Sequence, residues 1–433
     1  MTVPGQSTTW YPAPIGAPVV AVAAPQPKDD PFYSYAGAKP LASIAPGTVL
    51  KTRSFPYHIL GFPTLLETTQ LLYRSTSQTG NPTVNVTSVI QPPDQEDKTK
   101  VISYQSAYDS LNRNDEPSYA ISGGLTLGGV VPNVEAAVFG PFLAEGYSVI
   151  VPDTEGQRAD FAAGPEYGMN TLDSIRAAFN SSTVRLPSEA QVAMLGYSGG
   201  AIATEWAAEL APTYAPDVNA RMIGAAMGGV LVDPAHNLHY VEGTGFWSGV
   251  MPMALVGIAR AFEIDFTPYL TPHGANVFHE MRTASIVNVL GRYPGLKWED
   301  LVRPEYPTPE SLPLYVTHAN KLIMGTGGTP TIPLFIGQGA NGELEGTPGD
   351  QPGIGAGDGV MIAGDVRTLA RNYCAKGTKV HYEQYDTLSH IWSIPIWLPH
   401  AVGWIKDRFD GRPEPENCSS IALGNSLDPI PMP

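Results

Sequence analysis

The sequence predicts an α/β protein: a mostly parallel central sheet flanked by helices, with an inserted helical cap. Three observations predict it. Short apolar runs alternate with helix-length segments from residue 101 to 210, and again after residue 333. Between them, residues 233–310 break that rhythm with an unusually apolar stretch. The segment Gly196-Tyr197-Ser198-Gly199-Gly200 falls where an apolar run meets an Ala-rich helical segment. Strands alternating with helices argue for parallel pairing through βαβ crossovers.

In chain order, residues 1–45 are rich in Pro, Ala and small polar residues and read as an extended arm. Thr68 to Arg74 and Val84 to Ile90 flank a turn at Gly80-Asn81-Pro82, a hairpin pattern. Val101 to Tyr104, Tyr147 to Val151, Gln191 to Leu195 and Met222 to Met227 read as buried strands. Glu135 to Glu145, Asn170 to Phe179 and Ala201 to Leu210 have helical spacing. After the insertion come the strand Pro333 to Ile336, a Gly-rich loop over 337–357 and a helix from Ala363 to Tyr373. The strand Lys379 to Tyr385 and a last helix from Ala401 to Phe409 complete the pattern. The expected division is therefore an arm (1–45), a first core part (46–232), a cap (233–310), and a second core part with the C-terminal tail (311–433).

The bulk numbers narrow the function. Of 433 residues, 43% are hydrophobic and 15% charged, enough apolar content for one large core with an insertion. The net charge of −16 and the lack of any basic cluster exclude a nucleic-acid binder, which needs Lys and Arg for phosphate. No apolar run reaches the roughly 18 residues of a membrane span, so no integral membrane segment is expected. The stretch Ala17 to Pro25 is apolar but short and broken by Pro, and reads as a mature or trimmed start. Two cysteines, Cys374 and Cys418, fit either one disulfide or two free thiols. No metal-ligand spacing is present; His236 and His239 are read as an isolated pair in a loop, and neither metal nor organic cofactor is expected.

The pentapeptide at 196–200 fits G-x-S-x-G, with a strand before it and a helix after it. In that setting Ser198 occupies a strained strand-to-helix turn, and glycines are needed where neighbouring backbone crowds the turn. The helix N-terminus then aims N–H groups at a developing oxyanion. This is the nucleophile elbow of an α/β-hydrolase, and the other reading of the segment is a Gly-rich turn with an idle serine. A serine nucleophile needs a base held by a third group, in the chain order Ser, acid, His. His390, read as lying in a loop just past the last strand, suits the base better than His381 inside the strand or His400 at the start of the last helix. Glu343, Glu345, Asp350, Asp358 and Asp365 are candidate acids; Asp358, in Gly357-Asp358-Gly359-Val360, is preferred, with a helix N-cap as its alternative role.

Several segments together resemble the secretory lipase family: Asp29-Asp30-Pro31-Phe32-Tyr33, Ser103-Tyr104-Gln105 with Tyr108-Asp109, Pro117-Ser118-Tyr119, Asp153-Thr154-Glu155-Gly156, the elbow with Tyr197, Cys374-Ala375-Lys376-Gly377 and Phe409-Asp410-Gly411. The resemblance spans about residues 28 to 420. It implies a secreted serine lipase or esterase with the triad Ser198, Asp358 and His390. It also implies an oxyanion hole from Asp109 and the Gly199 N–H, and a disulfide between Cys374 and Cys418. The family's second disulfide is absent, since Leu111-Asn112-Arg113-Asn114 holds no cysteine.

The expected reaction is two-step acyl transfer on carboxylic esters, favouring acylglycerols or other medium- and long-chain acyl esters. Phe246, Trp247, Met251 and Met253 of the cap are the candidate substrate contacts, because ligand sites are mostly apolar and methionines adapt to flexible chains. A small-molecule ester or lipid is the expected partner, with transient contact to a lipid interface. A short-chain carboxylesterase, an amidase or peptidase, and a non-catalytic ligand-binding homologue are the competing readings.

Overall fold

A computed structural model describes residues 24–92 and 99–433. Residues 1–23 of the expected arm, and most of the Ala17–Pro25 stretch, lie outside the described residues.

Nine strands form one sheet: β1 (Val49–Ile59), β2 (Phe62–Thr76), β3 (Pro82–Gln91), β4 (Lys100–Gln105), β5 (Ser148–Pro152), β6 (Gln191–Tyr197), β7 (Met222–Gly228), β8 (Leu334–Gly339) and β9 (Val380–Tyr385). Their order across the sheet is β1-β2-β3-β5-β4-β6-β7-β8-β9. β1, β2, β3 and β5 pair antiparallel in turn, and every pair from β5 to β9 is parallel. This is the α/β-hydrolase architecture. The parallel strands are covered on both faces, which is why they read as near-continuous apolar runs.

On one face, the helices Gly164–Asn180, Gly199–Tyr214 and Ala363–Ala375 pack over Met194, Ala225 and Ile336. On the other, the helices Ala136–Ala144 and His390–Phe409 bury Phe139, Phe142, Trp397 and Trp404 against Ile102, Leu195 and Phe335. A third apolar cluster belongs to the inserted helices, with Trp298, Met253, Leu301 and Tyr315 at its centre. The helical elements of this insertion run from Pro234 to Ala319, so the helix Pro313–Ala319 extends past the expected boundary at 310.

Two elements differ from the expectation. β1 was absent from the sequence pattern, because Lys51 and Arg53 alternate with apolar residues and Pro56 interrupts the run. An edge strand tolerates all three, and Arg53 pairs with Asp30 of the arm at 2.5 Å. The last helix begins at His390 rather than at Ala401, so His390 lies in a helix and not in a loop. Pro395 and Pro399 hid those first two turns. Packing of Trp397, Ala401, Trp404 and Ile405 against the sheet offsets the two missing backbone donors.

Cys374 and Cys418 form a disulfide across 44 residues, joining the end of the helix Ala363–Ala375 to the tail. In the chain-entropy account a loop of that length is worth about 4 kcal/mol. Beyond Asp109, where the family's second disulfide is missing, the chain is fastened by a β-bridge between Ser110 and Ser285 and by Leu111 N–H donating to the Ala284 carbonyl at 2.7 Å.

Candidate active site

Ser198 follows β6 and caps the helix Gly199–Tyr214 with φ 55° and ψ −122°, a conformation a non-glycine residue adopts only under constraint. The constraint is visible in the neighbouring glycines. A Cβ at Gly196 would stand 2.3 Å from the Gly200 carbonyl oxygen, and one at Gly200 would stand 2.1 Å from that of Gln105. Both glycines are therefore steric requirements of the turn. Ser198 N–H donates to the Gly228 carbonyl at 2.9 Å, fixing the turn to β7.

Ser198 Oγ lies 2.8 Å from His390 Nε2, and His390 Nδ1 lies 2.8 Å from Asp358 Oδ2. Asp358 is fully buried, and its carboxylate takes three further hydrogen bonds. Oδ1 accepts from the Val360 and Met361 N–H groups at 3.1 and 2.7 Å; Oδ2 accepts from Gln338 Nε2 at 2.9 Å. The His390 N–H also donates to the Asp358 carbonyl at 2.7 Å. With Nδ1 giving its proton to Asp358, Nε2 is left to accept the serine proton. Burial works against the charged imidazole. The Asp358 charge, with Glu345 and Asp109 behind it, outweighs burial and holds His390 above the ordinary histidine range.

Asp109 follows β4 in a left-handed conformation, φ 32°, and its carboxyl lies against Gly199. A Cβ at Gly199 would meet Asp109 Oδ1 at 1.6 Å, so only glycine fits there. Burial, opposed by His390 and reinforced by Glu135, pushes the Asp109 carboxyl up to about 7. Glu135 is itself pushed up to about 7 by burial while it accepts from the Ala107 N–H at 2.8 Å under the same loop.

Of the other candidate acids, Asp365 accepts from His236 at 3.0 Å and belongs to a separate pair. That histidine and His239 lie in the helix Pro234–Val241 rather than in a loop, and each is paired with carboxylates of its own. His381 and His400 both face Glu383. Among the described residues there is no cluster of three or more His, Cys, Asp or Glu arranged for a metal.

Three neighbours of the triad were not singled out for any role by sequence reasoning. Glu345 was weighed only as the acid. It accepts from Ser389 Oγ at 2.6 Å and the Ile391 N–H at 2.9 Å, and its other oxygen accepts from Trp247 Nε1 at 2.9 Å. It thus caps the helix that begins with His390 and ties that helix to the insertion. Tyr197 donates to the His390 carbonyl at 2.6 Å, and Gln338 braces Asp358. The elbow motif contains Tyr197, but its partner is 193 residues away and no local pattern shows it.

The four cap candidates separate. Trp247 stands edge-on to the His390 ring, centroids 5.5 Å apart, with Phe246 edge-on to Trp247 at 5.2 Å. Met251 lines a small apolar cavity of about 50 Å³, together with Leu255, Ile258, Leu238, Tyr315 and Val360. Met253 does not line it; the side chain is fully buried in the core of the insertion. On the helix Val250–Ala261, residues 251, 255 and 258 share one face, and residue 253 points away from it.

A family model described as secretory lipase matches residues 123–348 and 353–417. Lipase 5 of Candida albicans is 31% identical, over 93% of this chain and 85% of its own length. A probable inactive lipase of Mycobacterium tuberculosis is also 31% identical, over 89% of this chain and 83% of its own. Among solved structures, Candida antarctica lipase A in its closed state superposes with a TM-score of 0.76 at 29% identity, covering 95% of this chain and 92% of that one.

Proposed function

Since the chain belongs to the secretory lipase family and is a carboxylic ester hydrolase of the lipase type, we propose that it works through an acyl-enzyme on Ser198, with His390 as base and Asp358 orienting it. The observation that carries this reading is the unbroken chain of two 2.8 Å contacts from Ser198 through His390 to Asp358. His390 Nε2 takes the serine proton as Oγ attacks the ester carbonyl. The tetrahedral oxyanion forms beside Gly199 N–H and the Asp109 carboxyl. His390 then protonates the leaving alcohol, and water, activated by the same imidazole, releases the acid. Glu345, Tyr197 and Gln338 act through His390 and Asp358 as positioning residues. Secretion fits the one disulfide, which persists in oxidising surroundings.

Asp109 can serve an oxyanion only in its acid form, because an ionised carboxylate would repel the developing charge and has no proton to donate. Its value of about 7 means the useful form is present below neutrality and is lost as pH rises through 7. His390 has the opposite requirement, neutral form only, and its raised value places the fall on the acid side above the ordinary histidine range. The expected kcat/KM profile on a water-soluble ester is therefore a bell near neutral pH. Asp109→Asn, whose amide donates at every pH, is expected to keep the acid limb and lose the alkaline one. Asp109→Leu is expected to cost on the order of a hundred- to a thousandfold. An unchanged alkaline limb in the Asn variant would remove Asp109 from this role.

The substrate is proposed to be an acylglycerol or another medium- or long-chain ester, its chain entering the cavity behind Met251. Val360, which lies two residues beyond Asp358, forms part of that cavity's wall. Each buried methylene contributes about 0.8 kcal/mol, so even a short slot selects strongly. Rates across p-nitrophenyl esters from acetate to dodecanoate, beside a triglyceride emulsion, test this. Longer chains are expected to be preferred, and Met251→Trp is expected to shift the optimum toward shorter ones. Acetate as best substrate, with a profile that Met251→Trp leaves unmoved, would contradict the slot.

A further inference from the structure

A charge-free apolar rim borders the candidate site. Leu65 is 97% exposed, Phe62 75% and Trp392 63%; Leu125, Leu127 and Val134 are each more than half exposed. The three segments that carry them, 54–66, 117–134 and 387–405, contain no Asp, Glu, Lys or Arg. In a chain that is 15% charged, several charges would be expected over that length.

These segments adjoin. A Cβ at Gly61, on the β1–β2 turn, would stand 3.2 Å from Leu125 Cδ1, and Leu60 N–H donates to Asn133 Oδ1 at 2.5 Å. The helices Ala136–Ala144 and His390–Phe409 run side by side, joined near their C-terminal ends by Lys406 and Glu145 at 2.5 Å. Their N-terminal ends, with Val134 just ahead of one and Trp392 in the first turn of the other, therefore lie on the same end of the sheet. That end is the site. Gly128 packs against Ser285, and the next residue, Ile286, donates its N–H to the Asp109 carbonyl at 2.8 Å. Trp392 is two residues beyond His390.

We infer that this rim is the surface by which the protein docks on an uncharged or zwitterionic lipid surface, presenting the Ser198 site to ester at the interface. The inference rests on the lipase reading above and names the partner of that site. Charge decides between lipid surfaces: the chain carries −16 and the rim carries no cation, so an anionic bilayer repels the protein and finds no basic residue to bind. Large apolar side chains and an exposed Trp suit the boundary between headgroups and acyl chains. Most large apolar side chains elsewhere are buried, whereas these form a contiguous exposed patch, a feature monomeric proteins keep for a partner.

The test is flotation of full-length protein carrying Ser198→Ala with phosphatidylcholine vesicles, and with vesicles in which a third of the lipid is phosphatidylserine. Binding to the first and weaker binding to the second are expected. Phe62→Ser with Leu65→Ser is expected to lower partition to phosphatidylcholine by roughly tenfold or more, and adding Trp392→Ser to lower it further. In the Ser198-intact enzyme, the Phe62→Ser, Leu65→Ser pair is expected to leave thermal unfolding and hydrolysis of p-nitrophenyl butyrate within twofold of the parent. No partition by the parent, equal partition by the variants, or preference for the anionic vesicles would overturn the inference. So would a concentration-dependent dimer abolished by the same substitutions without vesicle binding, which would make the occupant a second copy. Because the vesicle assay uses the Ser198→Ala protein, it reads docking alone. Loss of p-nitrophenyl ester hydrolysis by the parent would count against the catalytic reading instead.

Discussion

Ser198→Ala is expected to reduce turnover on p-nitrophenyl esters by on the order of a millionfold while leaving the fold intact. The serine's main-chain conformation is imposed by its neighbours, since its N–H is fixed to Gly228 and the glycines at 196 and 200 leave no room for relaxation. Alanine can occupy the same turn, so thermal unfolding should move little. What alanine removes is the single oxygen within 2.8 Å of His390 Nε2 that could attack a carbonyl. Turnover and unfolding measured on the same preparation check both halves. More than a few per cent of parental activity would mean that another group attacks the ester.

Asp358→Asn is expected to cost roughly ten-thousandfold in kcat, again without unfolding. Asp358 Oδ2 accepts from both His390 Nδ1 and Gln338 Nε2, while Oδ1 accepts from two main-chain N–H groups. An amide placed there has only one acceptor oxygen. Its nitrogen must face donors on one side, and with the oxygen held by Val360 and Met361 the NH₂ meets Nδ1. The imidazole then turns to the tautomer whose Nε2 carries the proton, which cannot act as base toward Ser198. Asp365→Asn serves as the control, since Asp365 pairs with His236 and Asn425 away from the triad, and it is expected to leave kcat near the parental value. Equal losses in the two variants would show that the effect of Asp358 is not specific to orienting His390.

Much of this arrangement was legible in the sequence, where the physical requirement is local. The elbow is such a case, because crowding at a strand-to-helix turn demands glycine at fixed offsets from the serine. The alternating pattern of buried strands and helices was legible for the same reason. Legibility ends where tertiary packing overrides local preference. Pro395 and Pro399 disguised the first turns of the last helix, which are held by four apolar anchors further along. β1 was hidden because an edge strand mixes charge with apolar residues. Asp109 entered only through resemblance, since a left-handed buried acid leaves no pattern in its neighbours. Glu345 was recognised as a candidate acid but not as a helix cap, because its partners Trp247, Ser389 and Ile391 come from distant segments. The separation of Met251 from Met253 was recoverable, because two residues along a helix turn a side chain away from a shared face.

The central claim is that Ser198 is acylated during turnover. The most direct measurement is reaction of the active enzyme with a fluorophosphonate, followed by peptide mass spectrometry. The expected result is one adduct per chain, on the peptide containing Ser198, formed as ester hydrolysis is lost and absent from Ser198→Ala. An adduct on another residue, or full esterase activity with Ser198 unmodified, would contradict the account.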